Sequence, residues 1–303
     1  MENANPLSLF TQFLKWSILI GAGCFLFIFL LLLRNTMLPR YPYELSLDQI
    51  GLPGEEMTFQ SRDGLILSGT LISAGEDAPL VILCHGVGAN RYDLIETARV
   101  LYEKGSLSVF LFDFRAHGRS RGWITSFGHR EQRDLLGVLD YLDSRDDLSH
   151  HYGLYGVSMG ASVGILVAAK DSRIRAVCVD SPFVDLEETL AMHLGLLYPL
   201  PKFPFLPLAK LSYNLLFWTD VREVSPLKVV HKLSPRPFYV INDGEDDRMT
   251  PEQAKALYEK ASLPKTLWIV PGAGHLEGRA VAEAQYDQSM VAFFLDALQK
   301  GSS

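Results

Sequence analysis

The sequence has few cysteines. There are three in 303 residues, Cys24, Cys84 and Cys178, and no Cys or His spacing resembles a zinc site. All three sit in apolar surroundings, Cys24 in a long apolar run and the other two in short runs that read as buried strands. They are small core hydrophobes rather than a disulfide framework. Runs of one charge are also missing. Lys and Arg are scattered and the formal charge is −7, so the chain lacks the basic patch that a nucleic-acid backbone requires. No internal repeat and no low-complexity segment interrupts it. What it has is apolar mass. With 48% hydrophobic residues, the chain can bury the core of one large α/β domain or of two small ones.

Charge is absent altogether from Trp16 to Leu33, a run of mostly Ile, Leu and Phe bracketed by Lys15 and Arg34. About 18 to 20 residues at 1.5 Å rise cross a hydrocarbon core, and the two bracketing cations can snorkel into the interfaces. A cleaved signal peptide is the alternative. Its apolar region spans about 7 to 15 residues and ends at small residues, whereas this run is longer and leads into Leu33-Arg34-Asn35-Thr36-Met37-Leu38-Pro39-Arg40. A core helix fits poorly, because the run is apolar on all sides. The reading is a tail over 1–15, a single-pass transmembrane helix over 16–34 and an extended, proline-bearing linker over 35–54. Lys15 and the amino terminus balance Arg34 and Arg40, so the positive-inside rule assigns no side.

From Glu55 the pattern alternates. Met57–Gln60 and Ile66–Ile72 flank Asp63-Gly64, a hairpin signal. Leu80–Cys84 and Val109–Phe112 are continuous apolar runs, as expected of strands covered on both faces. Tyr152–Val157, Ile174–Val179, Phe238–Ile241 and Thr266–Val270 supply four more. Helical spacings lie between them, at Leu94/Ala98/Leu101, at Leu135/Val138/Leu139/Leu142, in Met159–Lys170 and Pro251–Ala261, and at Tyr286/Met290/Phe293/Phe294/Leu298. The pattern predicts an α/β domain over 55–300 with a mostly parallel eight-stranded sheet and helices on both faces. One stretch breaks it. Residues from about 184 to 233 hold no strand-like run, and they include the proline-rich 197–207 and Leu215-Leu216-Phe217-Trp218. This is too long for an ordinary connection and too apolar for a free loop, so a helical cap insertion is expected.

Gly156-Val157-Ser158-Met159-Gly160 fits G-x-S-x-G between a strand and a helix. A serine there stands on a sharp strained turn, with glycines leaving room for strand and helix to close around it. A hydroxyl needs a base. Of eight histidines, His275 lies in a Gly-rich loop after the last strand, while His85 and His117 precede the serine in His-Gly turn pairs. The base needs an orienting acid. Four acids crowd the turn Asp243-Gly244-Glu245-Asp246-Asp247 after the penultimate strand; Asp247 is the first choice, Asp246 the second, and Asp180 an outside candidate. An oxyanion would be held by the backbone N–H of Met159, at a helix N-terminus, and of Val87, in His85-Gly86-Val87-Gly88.

On these motifs, together with Asp113–Ser120, the chain resembles the α/β-hydrolase superfamily over about residues 55 to 300. The order Ser158, Asp247, His275 is the order of that fold. Within it the chain looks like the esterase, acylglycerol-lipase and prolyl-oligopeptidase-like branches. The resemblance implies an acid three residues after a glycine and four before a proline. Asp247 meets both counts, after Gly244 and before Pro251. It also implies that Asp113–Ser120 is a structural loop, leaving His117 without a catalytic role. Asp243 departs from the His that many relatives place before that glycine.

The expected activity is ester or thioester hydrolysis through an acyl-enzyme. It needs no cofactor and no metal, and it acts on a small-molecule ester, lipid or acyl substrate at a membrane. A serine peptidase is the enzymatic alternative, because fold and triad alone do not separate esters from amides. A non-catalytic membrane-held binding protein is the alternative of another class. An apolar acyl pocket is expected under the cap near Phe203, Phe205, Phe217 and Trp218. The linker shows no docking pattern, so the membrane helix is expected to position the enzyme without building its site. The competing expectation is that the helix packs on the cap.

Overall fold

The structure, a computed structural model, describes residues 6–41, 43 and 50–299. Among these, eight strands form one sheet in the order β1-β2-β4-β3-β5-β6-β7-β8. They are β1 Gly54–Gln60, β2 Ile66–Ile72, β3 Leu80–Cys84, β4 Ser108–Phe112, β5 Tyr152–Val157, β6 Ile174–Asp180, β7 Phe238–Asp243 and β8 Lys265–Val270. The turn through Asp63 and Gly64, with Gly64 at φ 80°, closes β1 on β2 as an antiparallel hairpin. β2 also runs antiparallel to β4, and every later pairing is parallel.

The helices are α1 Pro6–Thr36, α2 Ile95–Gly105, α3 Glu131–Asp143, α4 Met159–Ala168, α5 Leu186–Leu197, α6 Lys202–Phe217, α7 Pro226–Val229, α8 Pro251–Lys260, α9 Gly278–Val281 and α10 Glu283–Gln299. Alternate residues of β3 feed two cores. Leu80, Ile82 and Cys84 pack with Leu135 and Leu139 of α3 and Ala161 and Ile165 of α4. Val81 and Leu83 pack with Ala98 and Leu101 of α2 and Met290 and Phe294 of α10. This two-sided burial is why the central strands read as unbroken apolar runs.

The segment between β6 and β7 forms a helical cap from α5, α6 and α7. Phe203 departs from helical geometry, with φ −105° and ψ 133°, where the proline-rich stretch enters α6, because a residue before proline is pushed away from the α region.

The N-terminal segment differs from expectation in two ways. The helix starts at Pro6 and runs 31 residues, about 46 Å at 1.5 Å per residue, rather than spanning 16–34. Its last three turns also lie on the cap. Ile28 is 2% exposed in a cluster with Leu194 of α5 and Ala209 of α6, and the Tyr198 hydroxyl donates to Asn35 Oδ1 at 2.8 Å. Residues 9–23 are exposed throughout.

The expected free linker is likewise tied down where it is described. The Arg40 guanidinium donates to the carbonyls of Gly118 at 3.0 Å, Ser120 at 2.5 Å and Gly122 at 2.6 Å. The Tyr43 hydroxyl bonds the Asp113 carboxylate, which is also held by Arg91 at 2.7 Å in a wholly buried pair. These partners are loop carbonyls and a charge buried within the fold, so no pattern in the linker's own sequence announces them. Residues 42 and 44–49 of the linker, the first five residues and 300–303 lie outside the described residues.

Candidate active site

Ser158 occupies the single residue between β5 and α4, at φ 50° and ψ −117°. Such a conformation costs a non-glycine residue on the order of 1–3 kcal/mol and persists only where the surroundings impose it. The surroundings are visible. The Ser158 N–H donates to the Asp180 carbonyl at 2.9 Å. A Cβ on Gly156 would lie 2.6 Å from the Gly160 carbonyl oxygen, and one on Gly160 would lie 2.1 Å from that of Cys84. Both glycines are therefore demanded by contact between backbones.

His275 lies in the loop after β8. Its Nδ1 is 2.6 Å from Asp246 Oδ2. Asp246 therefore replaces Asp247 as the acidic partner of the histidine. The reason is local. Oδ1 of Asp246 accepts the N–H groups of Arg248 and Met249, each at 2.9 Å, and this tight turn fixes that carboxylate in the interior while Asp247 is left exposed. Burial works against the Asp246 charge. The hydrogen bond from His275 and those from the two amides outweigh it and hold the carboxyl below the usual carboxylate range.

Asp180, the outside candidate, accepts from the Tyr286 hydroxyl at 2.5 Å and from the Ser181 hydroxyl at 3.0 Å rather than from His275. Burial first, and then the neighbouring Asp243 charge, push it up to about 7. The buried Asp243 is itself raised to about 6, mainly by burial.

The loop 85–88 lies against the nucleophile: a Cβ on Gly86 would come 3.4 Å from Ser158 Cβ. His85 Nε2 accepts the Phe114 N–H at 3.0 Å, and its Nδ1 lies 2.7 Å from the Gly86 carbonyl, so the proton sits on Nδ1. Burial, reinforced by His117, pushes His85 down to about 3 and keeps the ring neutral. Because a trans peptide sets N–H opposite C=O, tying the Gly86 carbonyl to His85 turns the Val87 N–H away from that ring. His117 braces the same loop, with Nε2 accepting the Gly88 N–H at 3.0 Å and Nδ1 2.7 Å from the Arg115 carbonyl. The Met159 amide is the first of α4, where helical N–H groups have no intrahelical acceptor.

Two cavities meet at Ser158, His275, Val87 and Arg248. The first, about 430 Å³, is bordered by Asp180 and by the charged side chains Asp93, Glu96 and Arg279. The second, about 330 Å³, is apolar and lies between the cap and α1, with Leu190, Leu194 and Ala209 on one side and Ile28, Leu31 and Leu32 on the other. Both are of ligand-binding size.

The four aromatic residues expected to line an acyl pocket are elsewhere. Phe203 and Trp218 are 81% and 89% exposed. Phe217 packs against Tyr213 in a tilted pair, ring centroids 4.8 Å apart, and is buried in the main core. Phe205 packs into the cluster that joins α1 to the cap. Arg248 and His193 also line the cavities. Arg248 lies in a turn crowded with acids and His193 in a largely apolar helix, so neither carries a sequence signal for the site. Burial, then the charges of Arg248 and His275, push His193 below the ordinary histidine value.

A mostly parallel eight-stranded sheet, helices on both faces and a cap over the strand ends define an α/β hydrolase. The sequence matches the Alpha/beta hydrolase family over residues 81–285, and the chain belongs to that family. It is 32% identical over 217 residues to the protein YqkD of Bacillus subtilis, covering 71% of this chain and 70% of that one. It is 29% identical over 133 residues to the thiohydrolase aneE of Aspergillus aculeatus, covering 43% of this chain and 42% of that one. Among solved structures, the esterase Pf2001 of Pyrococcus furiosus superposes with a TM-score of 0.72 at 25% identity, covering 86% of this chain and 99% of that one.

Proposed function

We propose that this chain is a membrane-held serine hydrolase that cleaves carboxylic ester or thioester bonds through an acyl-enzyme. The observation that carries the reading is Ser158 on its strained turn, lining the same two cavities as a histidine already oriented by Asp246. Ser158 Oγ attacks the acyl carbonyl as His275 takes its proton. Asp246, bonded to Nδ1, holds the ring so that Nε2 does the exchange and steadies the imidazolium. The N–H groups of Val87 and Met159 hold the oxyanion. Collapse of that intermediate expels an alcohol or thiol, which leaves with the proton from His275. Water, deprotonated by the same ring, then attacks the acyl-serine, frees the carboxylic acid and restores Ser158.

The apolar cavity suits the acyl part, and the charged cavity on the other side suits a polar leaving group. The esterase and thiohydrolase among the similar proteins favour esters and thioesters over amides. Membrane attachment rests on α1, whose span Leu9–Thr36 contains an 18-residue window with a mean hydropathy of 2.6.

The test is turnover by the wild type and Ser158→Ala on aryl esters, acyl thioesters and peptide amides. Loss of the serine is expected to cost on the order of 10⁶ in kcat on esters. Equal turnover by the two proteins refutes the mechanism. Better cleavage of peptides than of any ester makes the chain a peptidase.

A further inference from the structure

One helix, α1, combines a long exposed apolar stretch with a wall of the cavity at Ser158. The upper part of α1, residues 9–23, is exposed, whereas Ile28, Leu31 and Leu32 form one wall of the apolar cavity at Ser158 and His275. That placement is held by bonds as well as by packing. The Tyr198 hydroxyl donates to Asn35 Oδ1 at 2.8 Å, and the Thr125 N–H donates to the carbonyl of the wholly buried Thr36 at 2.9 Å.

The mouth can also be placed. Leu197 lines the cavity, yet is 56% exposed. Nearby on the cap, Leu196, Phe203, Leu211 and Leu215 are exposed at 46%, 81%, 49% and 51%. If Trp16–Leu33 occupies hydrocarbon, Ile28 to Leu32 stands within it, and the cap residues packed on that turn stand at the same depth.

Resting on the hydrolase reading above, we propose that the last three turns of α1 are a wall of the acyl site, and that its substrate is an acyl lipid whose chain enters from the bilayer along the seam between α1 and the cap. The chain never crosses water. The ester at its head meets Ser158, and the polar remainder occupies the charged cavity bordered by Arg248 and Arg279. This explains why Ile28 and Leu32 of an otherwise exposed apolar helix are buried against the hydrolase domain.

The test uses the full-length protein in detergent or liposomes and an alkyl fluorophosphonate with a photoreactive diazirine at the far end of a ten-carbon chain. The head reacts with Ser158, and illumination then marks what the tail touches. Tail adducts on the peptide holding Ile28 to Asn35 are expected. Adducts confined to α5 and α6, or to solvent, overturn the proposal while leaving the hydrolase reading intact. Failure of the probe to label Ser158 at all overturns both.

Kinetics give a second, independent readout. Leu31→Trp fills the cavity and is expected to lower the ratio of kcat/KM for decanoyl over butyryl esters by roughly tenfold or more, since each methylene barred from apolar surroundings costs a few-fold. Leu19→Trp, on the exposed part of the same helix (Leu19 is 60% exposed), is expected to keep the wild-type ratio. An unchanged ratio in a folded Leu31→Trp protein counts against the pocket wall.

Discussion

Asp246 and Asp247 are adjacent, chemically identical and differ in one respect: the turn after β7 buries the first and exposes the second. Asp246 accepts two amides and the His275 ring. Asp246→Asn is therefore expected to lower kcat by roughly 10³ to 10⁴, as loss of the orienting acid does in comparable triads. Asp247→Asn is expected to change kcat less than about twofold, within the small range of a surface substitution. Steady-state kinetics on one ester decides between them, and the reverse order would restore the register favoured by the family spacing.

Asp180 gives a second test. Its carboxyl is raised to about 7 from an unfolded value of about 3.9. The folded protein keeps a proton that the unfolded chain has lost, so this group's contribution to stability is full below about pH 4, falls as the pH rises toward 7, and is level above. Urea unfolding at pH 5 and pH 8 compares wild type with Asp180→Asn, which carries no charge to desolvate: the stability of the variant relative to wild type is expected to be higher at pH 8 than at pH 5. An unchanged difference would assign proton uptake in this range to other groups, Asp134 among them, which burial also raises to about 7.

The elements differ in how far their sequences announce them. The strands were legible because a strand covered on both faces must be apolar at every position, as Leu80–Cys84 is. The serine turn was legible because only glycine fits where a Cβ would come 2.6 or 2.1 Å from a backbone oxygen. Gly160→Ala is accordingly expected to destabilise the fold by about 1–3 kcal/mol or more, as overpacking does, seen as a lower midpoint in urea; an unchanged midpoint would mean that the turn opens at no cost.

The acid was not legible. Its identity depends on which of two neighbouring carboxylates a four-residue turn captures through backbone amides, and side-chain type carries no trace of that. The cap aromatics misled for a related reason. Phe203, Phe217 and Trp218 are apolar by composition, but only the path of the kinked segment decides whether each faces a cavity, the core or the outside. Nor did α1 reveal its second contact. A helix apolar on every side shows no stripe to mark the face that meets protein.

For the molecule as a whole, the question is whether α1 and the hydrolase domain are separable. The contacts of Ile28, Leu32, Thr36 and Arg40 say that they are joined. A protein truncated to begin at Arg40 would uncover Leu194 and Ala209 and lose Ile28 and Leu32, each fully buried aliphatic chain being worth about 1.5–3 kcal/mol. Thermal melting in one detergent is expected to give a Tm several degrees lower than full length. Turnover is expected to shift toward short acyl esters, because one wall of the apolar cavity is gone. Equal melting and an equal chain-length profile would show that α1 is only a tether.

The role of Ser158 as a nucleophile armed by His275 and Asp246 can be read out by treating the full-length protein with a fluorophosphonate and mapping the adduct by mass spectrometry. A single stoichiometric adduct is expected on the peptide carrying Gly156 to Gly160, abolished in Ser158→Ala, strongly slowed in Asp246→Asn and unaffected in Asp247→Asn. No adduct on the folded wild-type protein, or an adduct on another residue that survives Ser158→Ala, would contradict it.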